Sequence, residues 1–150
     1  MAERRVEWVE RTTVLIAPSP RQAPRLDLPP MNRFTERDGL LLARVAPHQV
    51  YAMRLGADRP LMAELQAVTG GAGLIDLSDA RVGIRIAGPD ARDRLARLVP
   101  LDLHPSRFMP GLCAATVMAH LNVLLLQLGP DSFEVQCGRS FADSLARAVR

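Results

Sequence analysis

Apolar residues along this chain recur with two periods, and the switches between them mark out the elements. In "RVGIRIAG" (residues 81–88), Ile84 and Ile86 point one way with Arg85 between them, as in a half-buried strand. With the preceding "GLIDLSD" (73–79), this predicts a strand pair or one bent strand. "HQVYAMRLG" (48–56) has the same character, with Val50, Ala52 and Leu55 in imperfect alternation. The period then changes. In "ADRPLMAELQAVTG" (57–70), Leu61, Leu65 and Val68 share a helix face, and Gly70 and Gly71 end it.

The clearest helix is "GPDARDRLARLV" (88–99). Pro89 suits a first helical position and Asp90 complements the positive helix start. Ala91, Leu95, Leu98 and Val99 form one apolar stripe, and Pro100 stops it. "LCAATVMAHL" and "NVLLLQLG" then read as a β-hairpin around Leu121–Asn122, and "GPDS" (129–132) turns the chain into the strand "FEVQC". The chain closes on "RSFADSLARAV" (139–149), with Ser140 as N-cap and Phe141, Leu145, Ala148 and Val149 on one face.

The last two helices repeat at an offset of fifty residues. Gly88 matches Gly138, Asp93 matches Asp143, Leu95–Arg97 matches Leu145–Arg147, and Val99 matches Val149. Two or three helices backing one mainly antiparallel sheet make an α+β two-layer sandwich with ferredoxin-like βα repeats. The first 38 residues read differently. Five of the chain's 12 prolines fall between Pro18 and Pro30, which predicts an extended segment unable to join a sheet centre. It is a disordered tail or an arm lying along a partner, with "VEWV" and "TTVLIA" as apolar material to bury. The expected division is therefore an N-terminal arm at 1–38 and a single α+β domain at 39–150.

Composition narrows the function classes. The balance of 48% apolar and 23% charged residues over 150 positions is that of one globular domain. The 19 basic residues are all arginine and the net charge is +3, yet the arginines do not cluster. Arg92, Arg94 and Arg97 alternate with Asp90 and Asp93 like a salt-bridged solvent face, and the few aromatics are scattered, so a nucleic-acid partner is not expected. The start of the chain has no apolar stretch suited to a signal peptide, and "NVLLLQLG" is too short to span a membrane, so the expectation is cytoplasmic without a membrane partner. Cys113 and Cys137 lie in apolar surroundings and read as buried reduced thiols.

No stretch carries a self-contained catalytic set. "TGGAG" (69–73) lacks the Lys-Ser/Thr of a phosphate loop and opens onto a strand, so it reads as a helix cap and turn. Asp76, Ser78 and Asp79 could serve acid–base work, but such a trio at a strand end builds Asx-type turns. Asp102 and His104 share one side of an extended segment, while His48, His120 and the cysteines are scattered, so no metal site is expected. Neither Ser78 nor Ser140 has a nucleophile-elbow context. The dense stretch "LVPLDLHPSRFMPG" (98–111) is left as a stiff crossover with a shape or contact role.

From Leu74 to Val149 the chain resembles the gamma subunit of heterotetrameric sarcosine oxidase. The motifs are Gly88–Arg92, Pro100–Pro105, Phe108, Pro110–Ala114, Thr116 and Arg139–Asp143. "GLIDLSD" followed by "GPDARDRL" is also distantly similar to the folate-binding domain of glycine-cleavage T-proteins, whose fold the resemblance implies. In the T-protein pattern the following hairpin supplies a folate carboxylate; here that hairpin is apolar and Asp131 falls in the next turn.

The resemblance implies a non-catalytic assembly subunit with no cofactor of its own, in a complex that oxidatively demethylates sarcosine and passes the one-carbon unit to tetrahydrofolate. FAD, FMN, NAD, tetrahydrofolate and zinc would sit in alpha, beta and delta subunits. His104, Arg107, Phe108, Arg139 and Phe141 are the candidate interface residues, with Phe108 filling the core or a partner. The alternatives are a stand-alone folate-binding protein with Asp76 or Asp102 at its pocket, and a gamma subunit of a related N-methyl amino-acid dehydrogenase. Alone, the chain could pair with a copy of itself along an exposed sheet edge.

Overall fold

A computed structural model describes residues 5–17, 26–56, 60–70 and 73–150. They form two units: residues 10–79, and a second made of the N-terminal strand together with residues 80–150. The chain thus starts in one unit, leaves it after Val9 and returns at Ala80.

The unit holding residues 80–150 is a five-stranded antiparallel sheet. Its strands are β1 (Arg5–Val9), β7 (Arg81–Ala87), β8 (Cys113–Met118), β9 (Leu121–Gly129) and β10 (Ser132–Gly138), in the order β1-β7-β10-β9-β8. Two helices accompany it, α2 (Ala91–Ala96) and α3 (Ala142–Ala148), the latter entered through a 3₁₀ turn at Arg139–Phe141. The strands alternate as their sequences require. Val82, Ile84 and Ile86 of β7, and Phe133, Val135 and Cys137 of β10, join Ala91, Leu95, Leu145 and Val149 in one core. Each large apolar chain so buried contributes roughly 1.5–3 kcal/mol. Both cysteines are buried thiols outside any disulfide, and burial pushes the Cys137 thiol up, with Arg81 opposing.

The other unit has its own sheet, formed by β2 (Arg11–Ile16), β3 (Arg33–Arg37), β4 (Leu40–Ala46), β5 (Gln49–Leu55) and β6 (Leu74–Asp76), in the order β3-β4-β5-β2-β6. Helix α1 (Leu61–Thr69) places Leu61 and Leu65 against Val14, Ile16, Leu42, Val50 and Ala52. Gly70 closes the helix in the left-handed conformation, while Val68 stays partly exposed.

These findings bear out the α+β class with mainly antiparallel sheets and helices against them. The ferredoxin-like element is realised as two βα units, β7–α2 and β10–α3, with β8, β9 and β10 forming a consecutive meander. Several expectations are corrected. The boundary at residues 38/39 is replaced, because "RVEWV" and "RTTVLI" are sheet strands. β2 is even an inner strand, and it ends at Ile16, just before the first proline. Most of the proline-rich segment, residues 18–25, lies outside the described residues. "GLIDLSD" and "RVGIRIAG" are not one pair: β6 bonds to β2, and β7 lies between β1 and β10. The hairpin turn sits at Ala119–His120, two residues earlier than expected, with φ of 47° and 70°. Ser140 does not cap α3, since it lies inside the 3₁₀ turn.

Gly73 marks the junction of β2 and β6. Its carbonyl accepts the Ala17 N–H at 2.7 Å, its φ is +71°, and a Cβ there would run into the Ala17 carbonyl oxygen. Gly73→Ala is therefore expected to destabilise the chain by about 2 kcal/mol or more in urea unfolding, with an unchanged m-value.

Candidate interface around the 98–111 loop

The loop between α2 and β8 is organised by Arg92. Its Nη1 donates to the carbonyls of Leu103 and Phe108 (3.0 Å to the latter), and its Nη2 donates to the Pro130 carbonyl at 3.1 Å. The guanidinium lies over the Phe133 ring, 5.3 Å from its centroid. One side chain thus ties α2, two points of the loop and the β9–β10 turn together. The expected solvent-facing role of Arg92 is corrected: three backbone oxygens outcompete Asp90 and Asp93 for its planar fork.

Inside the loop the polar residues serve the chain's own turns. Asp102 Oδ1 accepts the His104 N–H at 3.0 Å. The Ser106 N–H donates to His104 Nδ1 at 3.2 Å, and the Ser106 hydroxyl lies 2.7 Å from the same nitrogen. The His104 carbonyl accepts from Arg107 and Phe108 N–H groups at 2.8 and 2.9 Å. Asp76 works the same way in the other unit. Its Oδ1 accepts the Ser78 N–H at 2.9 Å and the Ser78 hydroxyl at 2.7 Å, while Ser78 Oγ accepts the Thr13 N–H at 3.0 Å. These two bonds hold the Asp76 carboxyl below its ordinary value of 3.8, with slight burial opposing.

The five candidate contact residues separate. Phe108 is buried with Leu103, Val99 and Phe133 in the core, which removes it from the contact set. His104 and Arg107 are exposed on the loop. Arg139 is exposed and bonds the Arg81 carbonyl at 2.9 Å, while its N–H meets the Ala80 carbonyl. Phe141 is 51% exposed on the 3₁₀ turn. Among the described residues no hydrogen bond or ion pair links the loop pair to Arg139 and Phe141. Asp131 is exposed in the β9–β10 turn, where its carbonyl accepts the Gly88 N–H at 3.0 Å. No group of three or more His, Cys, Asp or Glu side chains able to hold a metal occurs among the described residues. No described helix is long and apolar enough to cross a membrane.

A charge ladder crosses the same sheet and was not foreseen. Arg85 stands opposite Glu7 on β1 and Glu134 on β10. It reaches Glu7 Oε1 at 3.8 Å and the fully buried Glu134 Oε2 at 3.3 Å, and Gln136 Nε2 donates to Glu134 Oε1 at 2.8 Å. The signal was available: Glu134 and Gln136 alternate with Phe133, Val135 and Cys137, so they occupy the face opposite the helices.

Comparison with known proteins gives this architecture a family. The model of the sarcosine oxidase, gamma subunit family matches residues 45–147, well over half of the chain. The chain belongs to the sarcosine oxidase gamma subunit family. It is 35% identical over 85 residues to the sarcosine oxidase subunit gamma of Corynebacterium sp. (strain P-1), covering 55% of this chain and 42% of that protein. It is 39% identical over 77 residues to the subunit gamma of an Arthrobacter species, covering 50% and 38%. The matches thus span about two fifths of those relatives' length.

The fold of this gamma-family chain is also found in solved structures. A chain of heterotetrameric sarcosine oxidase from Corynebacterium sp. U-96, in complex with pyrrole 2-carboxylate, superposes with a TM-score of 0.88 at 21% identity, over 97% of this chain and 81% of that one. The glycine cleavage system aminomethyltransferase T from Bartonella henselae gives 0.69 at 20% identity, over 99% of this chain and 45% of that one. The T-protein-like fold expected from "GLIDLSD" and "GPDARDRL" is thereby shown.

Two outcomes follow from the geometry. Arg92→Lys keeps the charge but not the fork, and is expected to lose about 2 kcal/mol of stability in urea unfolding, with faster proteolysis within 98–111. Asp76 contributes stability that is present above its ordinary pKa and fades as pH falls through its lowered folded value. The stability difference between wild type and Asp76→Asn is thus expected to be constant above about pH 5 and to shrink in acid below about pH 4, read by unfolding at several pH values.

Proposed function

We propose that this chain is a non-catalytic assembly subunit of a heterotetrameric sarcosine-oxidase-type complex. The observation that carries the reading is the family match over residues 45–147. It is joined by the 0.88 TM-score to a chain of a heterotetrameric sarcosine oxidase. The way the polar residues are spent supports the non-catalytic part. Asp76, Ser78, Asp102, His104 and Ser106 all bond within their own turns, Ser78 also bonding the Thr13 backbone of β2, and Arg92 bonds backbone carbonyls.

In this reading the partners are alpha-, beta- and delta-type subunits. FAD, FMN, NAD, tetrahydrofolate and zinc belong to those chains, which demethylate sarcosine and pass its one-carbon unit to tetrahydrofolate. The chain works in the cytoplasm. Here it contributes shape and buried area through His104 and Arg107 on the loop and Arg139 and Phe141 before α3. Phe108 stays in the core and acts by holding the loop's form.

Co-expression with the alpha-, beta- and delta-type subunits of the same genome tests the reading. The chain is expected to co-migrate with them on size exclusion in equal stoichiometry. If it elutes alone while the other three assemble, the assembly role is wrong. A stand-alone folate-binding protein would instead give heat on titration with tetrahydrofolate in the absence of the other subunits.

A further inference from the structure

The two edges of the sheet formed by β1, β7, β10, β9 and β8 differ in kind. β1 carries Arg5 and Glu7, the charges with which proteins discourage strand addition. β8, "CAATVM", has no charge and no proline, and it pairs with β9 through six residues without a register shift. Ala119 and His120, at φ of 47° and 70°, form a two-residue hairpin turn, so Met118 and Leu121 are a hydrogen-bonded pair. Alternation then turns the N–H and C=O groups of Ala115 and Val117 away from β9. Both residues are exposed, and no described residue hydrogen-bonds these outward groups.

At the turn end of this open edge lies a cavity of about 450 Å³. Leu98, Pro100, Val117 and Ala119 line it with Arg97 and His120, and no carboxylate does. The Ala119 N–H donates to the Leu98 carbonyl at 3.2 Å, which joins the end of α2 to the turn. Neither the Arg97 guanidinium nor the His120 ring has a hydrogen-bond or ion-pair partner among the described residues, although Asp93 stands one turn before Arg97.

We propose that β8 is a strand-addition site for an extended segment of a partner subunit, one that places a carboxylate between Arg97 and His120. The inference rests on the assembly reading and names the chemistry of one contact within it. Main-chain bonds to Ala115 and Val117 supply affinity, and the carboxylate sets the register of the added strand. A second copy of this chain is the poorer occupant. Antiparallel pairing of β8 with itself leaves each cationic pocket without a carboxylate, in a chain of net charge +3.

The test uses the full chain co-expressed with the alpha-, beta- and delta-type subunits. Hydrogen exchange of peptides covering 113–118 is expected to slow by about tenfold or more in the complex relative to the free chain. Ala115→Pro removes an outward N–H without breaking a bond to β9, and Arg97→Glu reverses the pocket charge at an exposed position. Each is expected to weaken association by about tenfold or more, while the Arg97→Glu chain melts like wild type.

If both variants assemble as wild type does and 113–118 exchanges as in the free chain, the strand-addition site is wrong and the assembly role stands. If wild type itself does not co-migrate, both fall. A free wild-type dimer with a protected β8, made monomeric by Ala115→Pro, would assign the edge to a second copy and overturn the proposal.

Discussion

The unit containing residues 80–150 depends on what one guanidinium does with backbone oxygens. Helix α2 has only six residues, too few to be stable by its own hydrogen bonds, and the crossover after it contains three prolines. Prolines limit the loop's conformations but do not attach it to anything. Arg92 does: it holds the Leu103 and Phe108 carbonyls at two points of the loop and the Pro130 carbonyl in the β9–β10 turn, resting on the Phe133 ring. With those oxygens fixed, the Leu103 and Phe108 side chains enter the core. Their intervening residues, His104 to Arg107, are left on the surface. The exposed shape of the loop is thus the outer side of a buried attachment.

The same economy runs through the other polar residues. Asp76 and Asp102 each accept the N–H two residues ahead, and Ser78 and Ser106 complete those turns. Glu7, Arg85 and Glu134 pair across three strands. Polar chemistry spent on holding backbone in place is what a scaffold requires. It agrees with a chain whose family is that of the sarcosine oxidase gamma subunit and whose fold is shared with a T-protein.

Much of the fold was legible locally. The stripes of Leu61 and Leu65, of Ala91, Leu95 and Val99, and of Leu145 and Val149 all face cores, and the alternation in β7 and β10 holds residue by residue. The hairpin of β3 and β4 was missed although its signal was present: the expected division at 38/39 cuts through Asp38–Gly39, a strong two-residue turn pair whose residues both take positive φ. The Ala119–His120 turn carried no such signal. Alanine does not favour the left-handed region, and pairing of β8 with β9 imposes it on Ala119. Arg92 was misread for a related reason: its nearest partners in sequence are acids, but its actual partners lie 11, 16 and 38 residues away.

By itself, then, the sequence determined much of what depends on neighbours within a turn or a strand. That covers the helices, the alternating strands, the buried cysteines, the Asx turns and the motifs that carry the family. It did not determine which strands share a sheet. "RTTVLI" reads equally well as an arm or as an inner strand, since period-two alternation states which face is apolar and not what covers it. Only tertiary structure assigned β1 and β2 to different sheets and separated β6 from β7. It also left β8 as an open edge beside Arg97 and His120, whose side chains have no hydrogen-bond or ion-pair partner among the described residues. These are outcomes of pairing between residues far apart in the chain, whose free energy is absent from any local window.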